Sequence, residues 1–157
     1  MSTHREIMAD YYRDIEARSR VLGRSMMTIV AEDDPAEERT MTKMERRRLF
    51  ALRLSNLLVM ADSLKIPVAI FAYYRTAEEQ HKCFLEKKSQ CDGYIKRPKH
   101  QDWLAADLGI LNADGTDFLW DDPRYAKLGE LASKLGLTWG GAWSFNDVYH
   151  FELWEDR

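Results

Sequence analysis

Leu104-Ala105-Ala106-Asp107-Leu108-Gly109-Ile110-Leu111 is the stretch on which the fold turns. The run is almost wholly apolar and is closed by the turn signal Asn112-Ala113-Asp114-Gly115, so it reads as a β-strand. Asp107 is its anomaly. On a strand it shares a face with Ala105, and an unpaired carboxylate there is costly to bury. Something must compensate its charge, and a metal ion would do so.

Working outward, a second strand is expected upstream at Val68-Ala69-Ile70-Phe71-Ala72, an apolar run read as buried. Before it, Thr42-x-x-Glu45 is a capping box that opens a helix with an apolar stripe of Phe50, Leu54, Leu57, Leu58, Ala61 and Leu64. After it, Thr76-x-x-Glu79 opens a short helix to about Lys88, followed by a polar loop from Ser89 to Lys99. Downstream, Asp122-Pro123 suits the start of a third helix that buries Tyr125, Leu128, Leu131, Ala132 and Leu135 and stops at Gly136. Trp139-Gly140-Gly141-Ala142-Trp143 and Val148 to Leu153 read as short strands joined by a Gly-rich turn. Helices and strands mix without a regular βαβ alternation, so the expected class is α+β, a small antiparallel sheet with flanking helices. Residues 1–38 are expected to hold an amphipathic helix (Ile7, Tyr11, Ile15, Leu22, Met26, Ile29) and an acidic linker at Glu32-Asp33-Asp34-Pro35. Residues 39–157 are expected to form the main domain.

The chain has 157 residues, 45% hydrophobic and 31% charged, with a formal net charge of −3, which suits one domain with a sizeable core and excludes wholesale disorder. The longest apolar run, Val68 to Tyr74, is far too short for a membrane span. Residues 1–10 lack the apolar core of a secretory signal, so the expectation is synthesis in the cytoplasm. Cys83 and Cys91 stand in a C-x7-C spacing that suits neither a disulfide framework nor a metal site and read as reduced thiols. Charge is uneven in the second half. Lys82 to Lys99 carries six basic and two acidic residues, whereas Asp102 to Asp122 carries six Asp and no Lys or Arg. Acidic groups cancel the basic charge nearby, so no nucleic-acid surface is expected. Arg46-Arg47-Arg48, in a helical pattern, reads as a solvated helix face.

Of four histidines, His4 is terminal and His81 lies on a polar helix. The other two stand near acids: Asp107 follows His100 by seven positions, and Asp147 precedes His150 by three. Taken alone, either pairing fits a hydrogen-bonded core histidine better than a ligand. Their settings change the balance, since Asp107 sits in an apolar strand and His150 in an aromatic one, Tyr149-His150-Phe151. Two imidazoles and one carboxylate, with a position left for water, is a ligand set of catalytic zinc, which lowers the pKa of its water to about 7.

These clusters, in this order, resemble the zinc peptidoglycan peptidases that include D-alanyl-D-alanine carboxypeptidases, vancomycin-resistance dipeptidases and phage L-alanyl-D-glutamate endopeptidases. Their pattern is S-x-H-x-x-G-x-A-x-D, then a Trp/Gly-rich turn, then D-x-x-H or E-x-x-H. The chain has Pro98-Lys99-His100-Gln101-Asp102-Trp103-Leu104-Ala105-Ala106-Asp107, then Trp139 to Trp143, then Asp147-Val148-Tyr149-His150-Phe151-Glu152. Tyr74-Arg75-Thr76-Ala77-Glu78-Glu79-Gln80 is similar to the family's Y-R-[ST]-x-E-x-Q segment, and the likeness spans roughly residues 40–155. The family Ser is Pro98 here and the family Gly is Trp103, neither of them a ligand position.

The resemblance implies His100, Asp107 and His150 as zinc ligands and Asp147 as general base. It implies Arg75 as the group that stabilises the oxyanion or holds a substrate carboxylate. An ion pair of Arg75 with Glu78 or Glu79 is the bland alternative. Gln80, Trp143 and Tyr149 are candidate substrate contacts, Gln80 being equally compatible with a plain helix surface. Trp103, Trp139 and Trp143 are candidates for the cleft wall or for core packing. The implied activity is hydrolysis of an amide bond in peptidoglycan stem peptides. Asp in the D-x-x-H position is similar to the L-alanyl-D-glutamate endopeptidase branch. With no secretory signal read in the sequence, a phage or prophage endolysin, acting on the wall after release, is the implied type. The alternatives are a D-alanyl-D-alanine carboxypeptidase or dipeptidase, and a non-catalytic zinc-stabilised binding module. The expected partner is a stem peptide or muropeptide, without nucleic acid or membrane insertion, and a monomer is favoured. So few residues follow His150 that no C-terminal wall-binding module is expected.

Overall fold

The computed structural model describes residues 41–153, and the expected N-terminal helix and linker lie outside the described residues. Three helices and a four-stranded antiparallel sheet follow one another as α1 (Lys43–Ser63), β1 (Val68–Ala72), α2 (Ala77–Leu85), β2 (Ala105–Ile110), α3 (Arg124–Lys134), β3 (Leu137–Trp139) and β4 (His150–Leu153). The strand order is β1-β2-β4-β3. Short 3-10 turns at Lys99–Asp102 and Gly140–Ala142 precede β2 and follow β3. The α+β class expected from the sequence is the observed one. Among the described residues no helix is long and apolar enough to cross a membrane.

Both expected capping boxes form. Thr42 and Thr76 each accept the N–H of the residue three ahead, and Glu45 and Glu79 return a bond to the cap backbone. Helix α1 buries Leu49, Phe50, Leu54, Leu57 and Ala61, while Leu64, its C-cap, is exposed. It also buries Arg53, whose guanidinium donates to the Gly136 carbonyl at 3.1 Å and ties α1 to the end of α3. Helix α3 buries the expected Tyr125, Leu128, Leu131 and Ala132, and Leu135 beyond it. Pro123 already has helical dihedrals, and the Asp122 carboxylate accepts the Arg124 N–H at 2.9 Å. Gly136, at φ 70°, turns the chain out of the helix.

The sheet has two unlike faces. Ala106, Leu108, Ile110, Phe151 and Leu153 are fully buried on one, and the large side chains among them each contribute about 1.5–3 kcal/mol by leaving water. Ala105, Asp107, His150 and Glu152 alternate onto the other, as the register Ala105↔Glu152 and Asp107↔His150 requires. One expectation is corrected. β1 is an edge strand, with Ile70 and Phe71 exposed, because it pairs only with β2 and an irregularity between Ile70 and Ala72 breaks the ladder. Its apolar run reflects aromatic packing of Phe71 on Phe118, Trp120 and Tyr149 rather than central burial.

The turn after β3 depends on Gly140. Its carbonyl accepts the N–H groups of both Trp143 and Asp147 at 3.0 Å, and a Cβ there would stand 2.6 Å from the Asp147 carbonyl oxygen. Gly140→Ala is therefore expected to destabilise the domain by about 1–3 kcal/mol, read from urea unfolding. An unchanged midpoint would show that this turn yields freely.

Candidate metal centre and cleft

His100, Asp107 and His150 come from three separate pieces of chain. Asp107 and His150 are cross-strand partners on β2 and β4, so their side chains emerge side by side on the cleft face. His100 is delivered by the 3-10 turn before β2. Trp103 ends that turn in the left-handed conformation, φ 63° and ψ 33°, which folds the chain back so that β2 can begin. The family pattern has Gly here. Trp103 keeps the turn at a cost of about 1–2 kcal/mol and stacks on Tyr74 with ring centroids 4.4 Å apart.

The donor atoms form a nearly equilateral triangle. His100 Nε2 lies 3.2 Å from Asp107 Oδ1 and 3.3 Å from His150 Nδ1, and His150 Nδ1 lies 3.1 Å from Asp107 Oδ1. One face of a tetrahedron with metal–ligand bonds of about 2.0–2.1 Å has edges of about 3.3 Å, so the triangle fits zinc with a fourth position open toward the cleft. The tautomers agree. A carbonyl oxygen can only accept, so His100 Nδ1–H donates to the Tyr73 carbonyl at 2.8 Å and leaves the Nε2 lone pair facing inward. His150 Nε2 faces Glu152 Oε2 at 3.0 Å, which leaves Nδ1 for the triangle. Three lone pairs aimed at one point repel unless a cation lies between them. The donor set therefore fits a metal ion.

Protonation shows the same demand. Burial alone would disfavour an imidazolium, but hydrogen bonds that it donates to Asp107 and Glu152 outweigh burial and push His150 up to about 9. Burial likewise opposes charge on Asp107, and the two histidines overcome it, holding its carboxyl well below the usual range. A proton on His150 Nδ1 thus takes the place a metal would take.

Asp147 lies half-buried on the cleft, and burial is the main cause raising its carboxyl above the ordinary value, with the Asp107 charge adding to it and His150 opposing. Arg75, at the end of the segment after β1, is held by Asp107 Oδ2 at 3.4 Å and donates to Gln80 Oε1 at 2.9 Å. The alternative pairing with Glu78 or Glu79 is not the one that forms. Gln80 is fully buried rather than on a helix surface, and it donates to Ser89 Oγ and the Cys91 carbonyl, both at 2.7 Å. It positions Arg75 and does not line the cleft.

Trp143 lines the cleft against the His150 ring, 5.1 Å between centroids. Tyr149 corrects an expectation: it is turned away from the cleft, donates to the Trp120 carbonyl at 2.8 Å and packs on Phe71, Trp120 and Tyr125. Chain alternation next to β4 sends His150 one way and Tyr149 the other. Trp139 is half-buried, its ring against Gly129 and Gly141 and its Nε1–H donating to the Val148 carbonyl. His81 contacts the Asp92 carbonyl at 3.1 Å, away from the donor triangle. Glu152 was missed by the sequence reading. The signal was available, because His150-x-Glu152 on a strand places both side chains on one face.

Residues 88–153 match the family model described as D-alanyl-D-alanine carboxypeptidase. That segment is similar to this family. The enzyme class of that family is a metallopeptidase acting on peptidoglycan peptides, and the His/Asp/His group of this chain is able to hold a metal ion. No curated protein matches the chain. Among solved structures, the Serratia marcescens L-Ala D-Glu endopeptidase ChiX is 25% identical over 69% of this chain and 76% of its own, with a TM-score of 0.46. The vancomycin-resistance D,D-pentapeptidase VanY from a VanB-type cassette, solved with Zn(II), is 15% identical over 66% of this chain and 70% of its own, TM-score 0.48. VanYB in complex with D-alanine-D-alanine is 17% identical over 66% and 68%, TM-score 0.49.

Two outcomes are expected of this metal centre. Proton and metal compete for His150 Nδ1, so zinc affinity should climb as pH rises toward about 9 and level off above it. Near neutrality uptake should release about one proton, measurable in a weakly buffered titration with an indicator dye. Separately, Glu152→Ala should weaken zinc binding about 10–100-fold in a chelator competition with the fold retained. An unchanged affinity would remove Glu152 from the site.

Proposed function

We propose that the chain is a zinc-dependent endopeptidase that cuts the L-alanyl-D-glutamate bond of peptidoglycan stem peptides, of the phage or prophage endolysin type. The observation that carries a hydrolytic reading is Asp147, a carboxylate with a raised pKa on the same cleft as the His100–Asp107–His150 triangle. A pure binding module has no need for that group. When bound, zinc supplies a water acidic enough to react near neutral pH and polarises the scissile carbonyl.

The remaining work falls to the chain's own residues. Asp147 takes a proton from the attacking water and returns it to the leaving amine, and its raised pKa suits both transfers. Arg75 has donors beyond those it gives to Asp107 and Gln80, and these stabilise the negative charge that develops on the carbonyl oxygen. Trp143, against His150, forms one wall for the substrate backbone. The endopeptidase assignment is supported by Asp rather than Glu in the D-x-x-H position. D-alanyl-D-alanine carboxypeptidase activity is the second reading, favoured by the description of the matching family. The mass of the products distinguishes the two, because one reaction releases the peptide that begins at D-Glu and leaves L-Ala on the muramic acid, and the other releases only the terminal D-Ala.

Asp147→Ala is expected to keep zinc and fold while losing about 10²–10⁴ of turnover on purified muropeptides, followed by mass spectrometry. His150→Ala should lose metal and activity together. Retained cleavage by Asp147→Ala would show that the base lies elsewhere. Asp147 must be ionised to act, so the acid limb of the rate profile should stand above the ordinary carboxylate value of about 4 and be absent from the residual activity of Asp147→Ala.

A further inference from the structure

The basic stretch Lys82 to Lys99 has no part in the chemistry described above, yet from Lys87 onward much of it lines the cleft. After α2 the chain turns at Lys87, whose φ of 59° is a conformation that favours glycine, with the Lys87 N–H on the Phe84 carbonyl and the Lys88 N–H on the Cys83 carbonyl. A lysine at such a position carries a backbone cost of about 1–2 kcal/mol. The wall that follows is not loose. Buried Gln80 grips it at Ser89 and Cys91 while also gripping Arg75, so the wall and the metal site share one anchor.

Charge on this wall is only partly cancelled. Lys88 pairs with Glu86 at 2.7 Å and Arg97 with Asp102 at 3.5 Å. Asp92 spends its Oδ1 on the backbone N–H groups of Tyr94, Ile95 and Lys96. Lys87 and Lys96 both line the cleft, both are exposed, and neither forms an ion pair among the described residues. Trp143, Ser144, Phe145 and Asn146, which also line the cleft, carry no charge, and Asp147 beside them is an acid. The cleft thus combines three carboxylates, two of them bonded to histidines, with the unspent positive charge of Lys87 and Lys96.

We propose that Lys87 and Lys96 form a carboxylate-binding subsite that selects stem peptides with free carboxylates over the same peptides amidated. A backbone whose scissile carbonyl sits at the metal centre would lay its acidic side groups against this wall, and an amide would forfeit the attraction while keeping the shape. The inference rests on the reading that the cleft takes stem peptides, and the test separates the two.

The zinc-loaded full chain is titrated calorimetrically with the synthetic peptide L-Ala-D-Glu-L-Lys-D-Ala and with its form amidated at both carboxylates. The free acid is expected to bind roughly three- to tenfold more tightly, with the gap shrinking in high salt. Lys87→Gln/Lys96→Gln should abolish the gap, and Lys87→Arg/Lys96→Arg should keep it. Equal affinity for the two peptides, no binding of either, or a gap that survives the double Gln variant overturns the subsite. Cleavage of both peptides at equal rates and affinities would overturn the subsite and leave the peptidase reading standing. Discrimination in binding without any cleavage would do the reverse.

Discussion

Three lone pairs are aimed at one point by three pieces of backbone, and the molecule is organised around tolerating that. Asp107 Oδ1, His100 Nε2 and His150 Nδ1 stand 3.1–3.3 Å apart in a partly buried position, where water cannot screen their mutual repulsion. Only a cation resolves the conflict, whether a proton shared by His150 or a metal ion in the open tetrahedral face. The supporting contacts follow from it. Tyr73 offers a carbonyl and Glu152 a carboxylate to the far nitrogens of the two rings, and each forces the inward nitrogen to be the bare one. Arg75 steadies the second oxygen of Asp107, and buried Gln80 steadies Arg75.

The same strands serve stability and chemistry because a strand has two faces. Phe151 and Leu153 on β4 pack into a fully apolar interior together with Ala106, Leu108 and Ile110 of β2. Between them His150 and Glu152 face the cleft beside Asp107. A slip of one residue in the β2–β4 register would bury the ligands in the core and expose the core to the cleft, so packing energy enforces the geometry of the site. Two further functional groups hang on turns instead. Asp147 depends on Gly140 for its approach, and His100 on the left-handed Trp103.

Much of this was legible in the residues. The two capping boxes, the buried stripe of α3, the Asp114-Gly115 turn and the strand holding Asp107 each rest on contacts within a few residues, and local contacts are what a sequence displays directly. The three donors were legible too, from an acid in an apolar strand and a histidine in an aromatic one. Other features depended on neighbours distant in sequence. β1 looks like a central strand but lies at the edge, since nothing in Val68 to Ala72 says how many strands will pair with it. Tyr149 looked like a substrate contact because it adjoins His150, yet alternation sends it into the aromatic cluster with Phe71 and Trp120. Gln80 read equally as surface until the Ser89–Cys91 loop closed over it.

The sequence by itself determined which residues can bind a metal, which segments become helices and strands, and the family that residues 88–153 resemble, because side-chain chemistry, caps and periodicity are properties of short stretches. Only the tertiary structure decided that Asp107 and His150 are cross-strand partners and that Glu152 and Tyr73 set the tautomers. It alone turned the basic run from Lys87 to Lys99 into a wall of the cleft. Those outcomes depend on strand register and on loops closed across tens of residues, where packing of the whole core, and no local preference, selects the arrangement.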